Sequence, residues 1–138
     1  MATLYLESSA VVGWLVGEPR SQEVAQQLES AESVATSALT FAEVDRAIAR
    51  RAGSGELAHP DELTLRGVLA RERRRWLIMA VTETVLERAS RTFPVEPVGT
   101  LDAIHLATAL ILVEALPGIR MLTFDRKIAE NATAMGLI

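Results

Sequence analysis

Four short β-prone apolar runs, each followed by a helical segment, constrain the fold of this chain more than any other feature. They occupy residues 3–6, 33–36, 77–81 and 120–124. Short apolar runs separated by helices argue for a parallel sheet covered on both faces, because parallel strands need crossover connections and those connections supply the covering layers. The first helix is expected to be capped by Ser8 and Ser9 and to run through Val12, Trp14 and Leu15 until Glu18-Pro19 breaks it. A second follows through Val24, Ala25 and Leu28. Thr40 with Glu43 three residues on reads as a capping box, opening a helix that ends at Gly53. Pro60 starts another, which finishes in the basic run Arg71-Glu72-Arg73-Arg74-Arg75. Further helices are expected at 83–91, from Thr100 to the Pro117-Gly118 break, and from Asp125 to Thr133, with Gly136 as the stop. No repeat or long linker divides the 138 residues, so a single domain over 1–138 is expected.

Composition narrows the functional classes. With 49% hydrophobic residues the chain can bury a core, which excludes a disordered polyelectrolyte. A net charge of -4 excludes a global basic field, so any polyanion must be held by a local patch or a bound cation. The absence of Cys excludes a disulfide framework, a thiolate zinc site and a cysteine nucleophile, and suits a reducing, cytoplasmic setting. Neither apolar stretch reads as a membrane or targeting segment. The first has Glu7 in its middle and no early Lys or Arg. The second, residues 101–116, is interrupted by Asp102, His105 and Glu114 and is shorter than the roughly 18 apolar residues of a span.

In open α/β sheets ligands bind beyond the carboxyl ends of the strands. Glu7 follows the first strand and Asp125 the fourth, while Glu43 and Asp102 lie near helix starts, so four carboxylates are expected to converge. Each has a bland reading: Glu43 completes a cap, Asp102 sits in a helix dipole, and Asp125 is an N-cap. Glu7 resists one, since an acid directly after an apolar strand gains nothing from the sheet. Asp102 heads a helix with almost no polar face, where a carboxylate is costly without a cation or donor. Clustered carboxylates with no Cys suit Mg²⁺ or Mn²⁺, which lowers the pKa of bound water and screens a phosphodiester under attack.

Four strings, YLESSAVVGWL, TSALTFAEVDRAIAR, LDAIHLATAL and LTFDRKIAENATAMGL, together make the chain similar to the PIN-domain ribonucleases, and among them to the toxin halves of VapBC-type toxin-antitoxin pairs. That resemblance implies a three-layer α/β/α fold with a central parallel sheet, and RNA hydrolysis by an acid cluster binding Mg²⁺ or Mn²⁺. Carried over by motif, the catalytic acids are Glu7, Glu43, Asp102 and Asp125, of which Glu7, Asp102 and Asp125 are the metal ligands. Ser9 and Thr123 are the small hydroxyl neighbours. It also implies a homodimer and a cognate antitoxin that blocks the site and carries operator DNA binding. One departure is Glu7, where the family ordinarily has Asp. The added methylene predicts weaker metal binding or slower turnover, since Mg²⁺ tolerates little departure from octahedral geometry. It also motivates the alternative of a weakened module that binds RNA or an antitoxin without turnover.

Arg46 and Arg50 share a helical face with Glu43 and are the candidate substrate-phosphate contacts. The 71–75 run with Trp76 could grip nucleic acid, but a solvated helix face is the favoured reading. His105, one turn after Asp102, is expected to be a packed or supporting histidine, because His59 lies in a polar loop and offers no partner. Trp14, inside an apolar run, is expected in the core or a dimer interface. A nucleotide hydrolase with a phosphate loop is disfavoured: Gly53-Ser54-Gly55 has no following Lys and does not join a strand to a helix.

Overall fold

The computed structural model describes residues 3–138. Its strands β1 (Thr3–Leu6), β2 (Ser33–Ser37), β3 (Leu77–Met79) and β4 (Arg120–Leu122) form one parallel sheet in the order β3-β2-β1-β4. Between β1 and β2 lie α1 (Ser8–Leu15) and α2 (Ser21–Ser30), and between β2 and β3 lie α3 (Ala38–Gly53) and α4 (His59–Arg73). Helices α5 (Glu83–Ala89) and α6 (Thr100–Ala115) carry the chain across to β4, and α7 (Arg126–Ala134) follows. This is the expected three-layer α/β/α architecture with a central parallel sheet.

The period of two along each strand sorts side chains between the layers. Leu4 and Leu6 join Val11, Val24, Phe41, Val44, Ile48 and Trp76 under α1–α4. Tyr5 points the other way, into a core with Leu106, Leu112, Met121, Ile128 and Leu137. Each such aliphatic side chain contributes about 1.5–3 kcal/mol when fully buried. The free side of β4 is covered by the C-terminal segment, where Met121 N–H donates to the Leu137 carbonyl at 2.8 Å. Gly136, at φ 76°, turns the chain there after α7.

Several element ends differ from the sequence expectation, each for a side-chain reason. Ser8 and Ser9 lie inside α1, and the N-cap is Glu7, whose carboxylate accepts the Ser9 N–H. An ionised carboxylate outcompetes a hydroxyl at a helix N-terminus. Thr40 is likewise not a cap: Ser37 is, accepting from Leu39 N–H at 3.1 Å, while Thr40 is buried and hydrogen-bonded to Thr36. Glu43 is therefore one turn inside α3 and free of capping. Strand β3 stops at Met79, and β4 stops at Leu122, beyond which the Thr123 hydroxyl donates to Glu7 and the Phe124 N–H to Ser9 Oγ.

Candidate functional site

Strand order places the switch in winding direction between β1 and β4, since the chain moves outward through β2 and β3 and then returns to the far side of β1. Two acids flank that point at the carboxyl edge. Glu7 follows β1, and Asp125 follows β4 as the N-cap of α7, accepting the Ile128 N–H at 2.9 Å. Helix α3 leaves the same edge and carries Glu43, and the first turn of α6 carries Asp102. All four acids line one open cleft of about 460 Å³, with Ser8, Ser9, Glu18, Arg50, Arg51 and Phe124 among its other walls.

Glu7 is 3% exposed and accepts four hydrogen bonds. Its Oε2 takes the Ser8 hydroxyl at 2.6 Å and the Ser9 N–H at 3.0 Å; its Oε1 takes the Thr123 hydroxyl at 2.6 Å and the Ser9 hydroxyl. That matches the roughly four acceptor positions of a carboxylate. Burial pushes its pKa up, but the hydroxyl donors of Ser8, Ser9 and Thr123, with His105 nearby, outweigh burial and hold it below the ordinary value. Ser9 and Thr123 thus act on Glu7 and on the β4–α7 turn: Ser9 Oγ also accepts the Phe124 N–H at 2.8 Å and Thr123 Oγ1 the Asp125 N–H at 3.0 Å. Thr123 is 5% exposed, so of the two only Ser9 faces the cleft.

Glu43 is tied into the same network. Ser8 Oγ lies 2.6 Å from Glu7 Oε2 and 2.9 Å from Glu43 Oε1, so one hydroxyl proton is placed between two carboxylates. Glu43 Oε1 also accepts from His105 Nε2, and His105 Nδ1 meets the Tyr5 hydroxyl at 2.9 Å. His105 and Tyr5 are both fully buried, in keeping with the supporting role expected of the histidine.

Asp102 has the opposite electrostatics to Glu7. Burial raises its pKa, and the charges of Asp125, Glu7 and Glu43 raise it further against a smaller lowering by His105. No described residue donates a hydrogen bond to its carboxylate, and Asp125 uses only Oδ1 in its cap. This donor set, hard oxygens with uncompensated negative charge, fits a divalent hard cation. Glu7, Glu43 and His105 also bring one ligand atom each within 4.8 Å of one another. Both ring nitrogens of His105 are already engaged, however, Nε2 with Glu43 and Nδ1 with Tyr5.

The remaining candidates separate. Arg50 lines the cleft, whereas Arg46 is exposed on α3 and does not. Arg51 and Glu18, which the sequence reading did not assign to the site, face each other at 3.6 Å across the cleft wall. Ser8, expected only to cap α1, also belongs to the site, and its adjacency to Glu7 is the signal for it in the sequence. The 71–75 run leads into the start of β3 and so lies at the amino edge of the sheet, opposite the acids. Trp76 is buried against Trp14 and Phe41, and the run itself is an exposed helix end.

The family model described as PIN domain matches residues 4–134. Ribonuclease VapC46 of Mycobacterium tuberculosis is 36% identical over 143 aligned positions, covering 99% of this chain and 95% of that protein. Ribonuclease VapC35 of the same species is 33% identical, covering 97% and 93%. Among solved structures, M. tuberculosis VapC20, described as a sarcin-ricin-loop-cleaving toxin, superposes with a TM-score of 0.66 at 18% identity, covering 98% of this chain and 96% of that one. A toxin-antitoxin complex from Klebsiella pneumoniae matches at 0.63 and 18% identity, covering 96% and 92%.

Proposed function

The chain belongs to the PIN-domain family, and from that premise we propose that it is a divalent-metal-dependent endoribonuclease, the toxin of a type II toxin-antitoxin pair. The observation that carries this reading is the convergence of Glu7, Glu43, Asp102 and Asp125 on one cleft with Asp102 left uncompensated. Similarity to proteins named ribonuclease supports RNA as the substrate, and similarity to a toxin-antitoxin complex supports an antitoxin partner.

In this reading Glu7, Asp102 and Asp125 hold Mg²⁺ or Mn²⁺. The ion, when bound, supplies a water of lowered pKa and neutralises charge on the scissile phosphodiester. Asp102 and Asp125 would offer it open oxygens, and Glu7 would be the third ligand. Glu43 orients the attacking water through its second oxygen, the first being held by Ser8 and His105. Arg50 at the cleft rim meets substrate phosphate, and Arg46, one turn before it on α3, extends that contact to flanking nucleotides. Hydrolysis then leaves a 5′-phosphate and a 3′-hydroxyl. A homodimer in the cytoplasm, with operator DNA engaged only through the antitoxin, completes the reading. None of the described helices is long and apolar enough to cross a membrane.

Cleavage of a structured RNA pool by the wild type, Glu7→Asp and Asp102→Asn, each with Mg²⁺, Mn²⁺ or EDTA, tests it. Metal-dependent cleavage by the wild type that Asp102→Asn loses, with its circular dichroism unchanged, is the expected result. Equal cleavage in EDTA sinks the metal mechanism. The saturated Glu7 carboxylate favours one second reading, an RNA- or antitoxin-binding module with little turnover. Cleavage by Glu7→Asp together with a silent wild type that still binds RNA would select it.

A further inference from the structure

Tyr5 and His105 form a buried polar pair that the proposed chemistry does not use. Both are fully buried, 100 residues apart in sequence, one on β1 and the other on α6. Their hydrogen bonds run in a line from the core to the cleft: Tyr5 Oη to His105 Nδ1 at 2.9 Å, then His105 Nε2 to Glu43 Oε1. The Glu43 side chain, at the end of the line, is 26% exposed. The rings of Tyr5 and His105 meet edge to face, 6.2 Å between centroids at 75°, so packing holds the imidazole plane as well as its nitrogens.

The direction of these bonds follows from what each atom can do. An ionised carboxylate only accepts, so Nε2 must carry a hydrogen to bond Glu43. In the neutral imidazole the other nitrogen is then an acceptor, and the Tyr5 O–H is the donor that satisfies it.

We propose that Tyr5 and His105 are a positioning pair that sets the Glu43 carboxylate: Tyr5 donates to Nδ1 and holds the imidazole in place, and His105 pins Glu43 Oε1 through Nε2–H so that the second oxygen alone serves the cleft. Neither residue touches substrate. Without the brace, Glu43 keeps only the Ser8 hydroxyl, which it shares with Glu7. The proposal deepens the ribonuclease reading and rests on it for its catalytic consequence, though not for the tautomer.

The test has two arms on the full-length protein. Nitrogen-15 NMR of the imidazole at neutral pH, without metal, is expected to show His105 protonated at Nε2 alone. A hydrogen on Nδ1 in the wild type overturns the proposal whatever the activity. In the RNA-cleavage arm, Tyr5→Phe lowers kcat about tenfold with KM within about twofold of wild type, the pattern of a misplaced group rather than a lost contact.

Substitutions at His105 separate positioning from packing. Gln places an amide N–H near the position of Nε2 and is expected to keep kcat within about threefold, whereas Asn, whose amide reaches only the Nδ1 position, loses about 100-fold. Equal loss in both, or wild-type kcat in Tyr5→Phe, refutes the brace. A wild type that shows the expected tautomer but cleaves no RNA counts against the ribonuclease reading and leaves the hydrogen-bond geometry upheld.

Discussion

Glu7 is held as an anion by hydroxyls, and acid therefore titrates the fold through it. Its folded pKa lies below the ordinary 4.5, so the unfolded chain takes up the proton first as pH falls. The stability it contributes is complete above about pH 4.5 and is lost as pH drops through the depressed folded value. Asp102 acts in the opposite sense, because its folded pKa is raised above 3.8 and the native state binds that proton first. Comparing urea midpoints of wild type and Glu7→Gln between pH 6 and 3 isolates the Glu7 term, with the wild type expected to lose stability more steeply. Parallel curves would mean that the hydroxyl cage does not favour the charged form. The acid itself is plain in the sequence, but its cage is not. Ser8 and Ser9 are neighbours, whereas Thr123 reaches Glu7 from 116 positions away.

At the scale of the elements, α1 is shaped by one glycine. A Cβ at Gly13 would lie 2.7 Å from the Phe124 ring and 2.9 Å from Glu18 Oε2, so α1 can approach the β4–α7 turn only without a side chain there. The opposing Arg20 guanidinium lies over the Phe124 ring at 4.2 Å and is held by Glu23, which restricts how far the ring can yield. Gly13→Ala is therefore expected to destabilise by about 1–3 kcal/mol despite its better helix propensity. Phe124→Leu in the same chain should recover part of that loss in a denaturant titration; a Gly13→Ala protein as stable as wild type would show that the turn moves freely. Element type and order were legible, because periods of two and 3.6 are local. The caps at Glu7 and Ser37 were not, because choosing among neighbouring polar residues depends on which is drawn inward by the sheet.

Across the whole molecule, the acid cluster stores repulsion that a cation can relieve. Saturating Mn²⁺, at a hundred times its Kd, is expected to stabilise the wild type by about 2.7 kcal/mol, roughly 10 °C in Tm for a domain of this size. Asp102→Asn is expected to be more stable than wild type without metal by less than about 1 kcal/mol, since a partly exposed charge is screened. It should also lose most of the Mn²⁺ shift. A Tm that rises equally in both proteins would locate the cation elsewhere. The two arginines singled out on α3 illustrate the limit of helical spacing at this scale. Both share a face with Glu43, but only Arg50 lies where α3 borders the cleft.

By itself the sequence determined the alternation of strands and helices, the three layers and the identity of the four acids at strand ends and helix starts. Those are properties of local periodicity and of residue type. Tertiary structure decided the rest. Placing β4 beside β1 rather than beside β3 brings Asp125 to Glu7. Packing α6 over the face that holds Tyr5 sets His105 against a glutamate 62 residues earlier in the chain. The same parallel winding puts the 71–75 arginines at the opposite edge from the acids. Hydrogen bonds and charge repulsion act over a few ångströms in space, and only the folded chain determines which distant residues come that close.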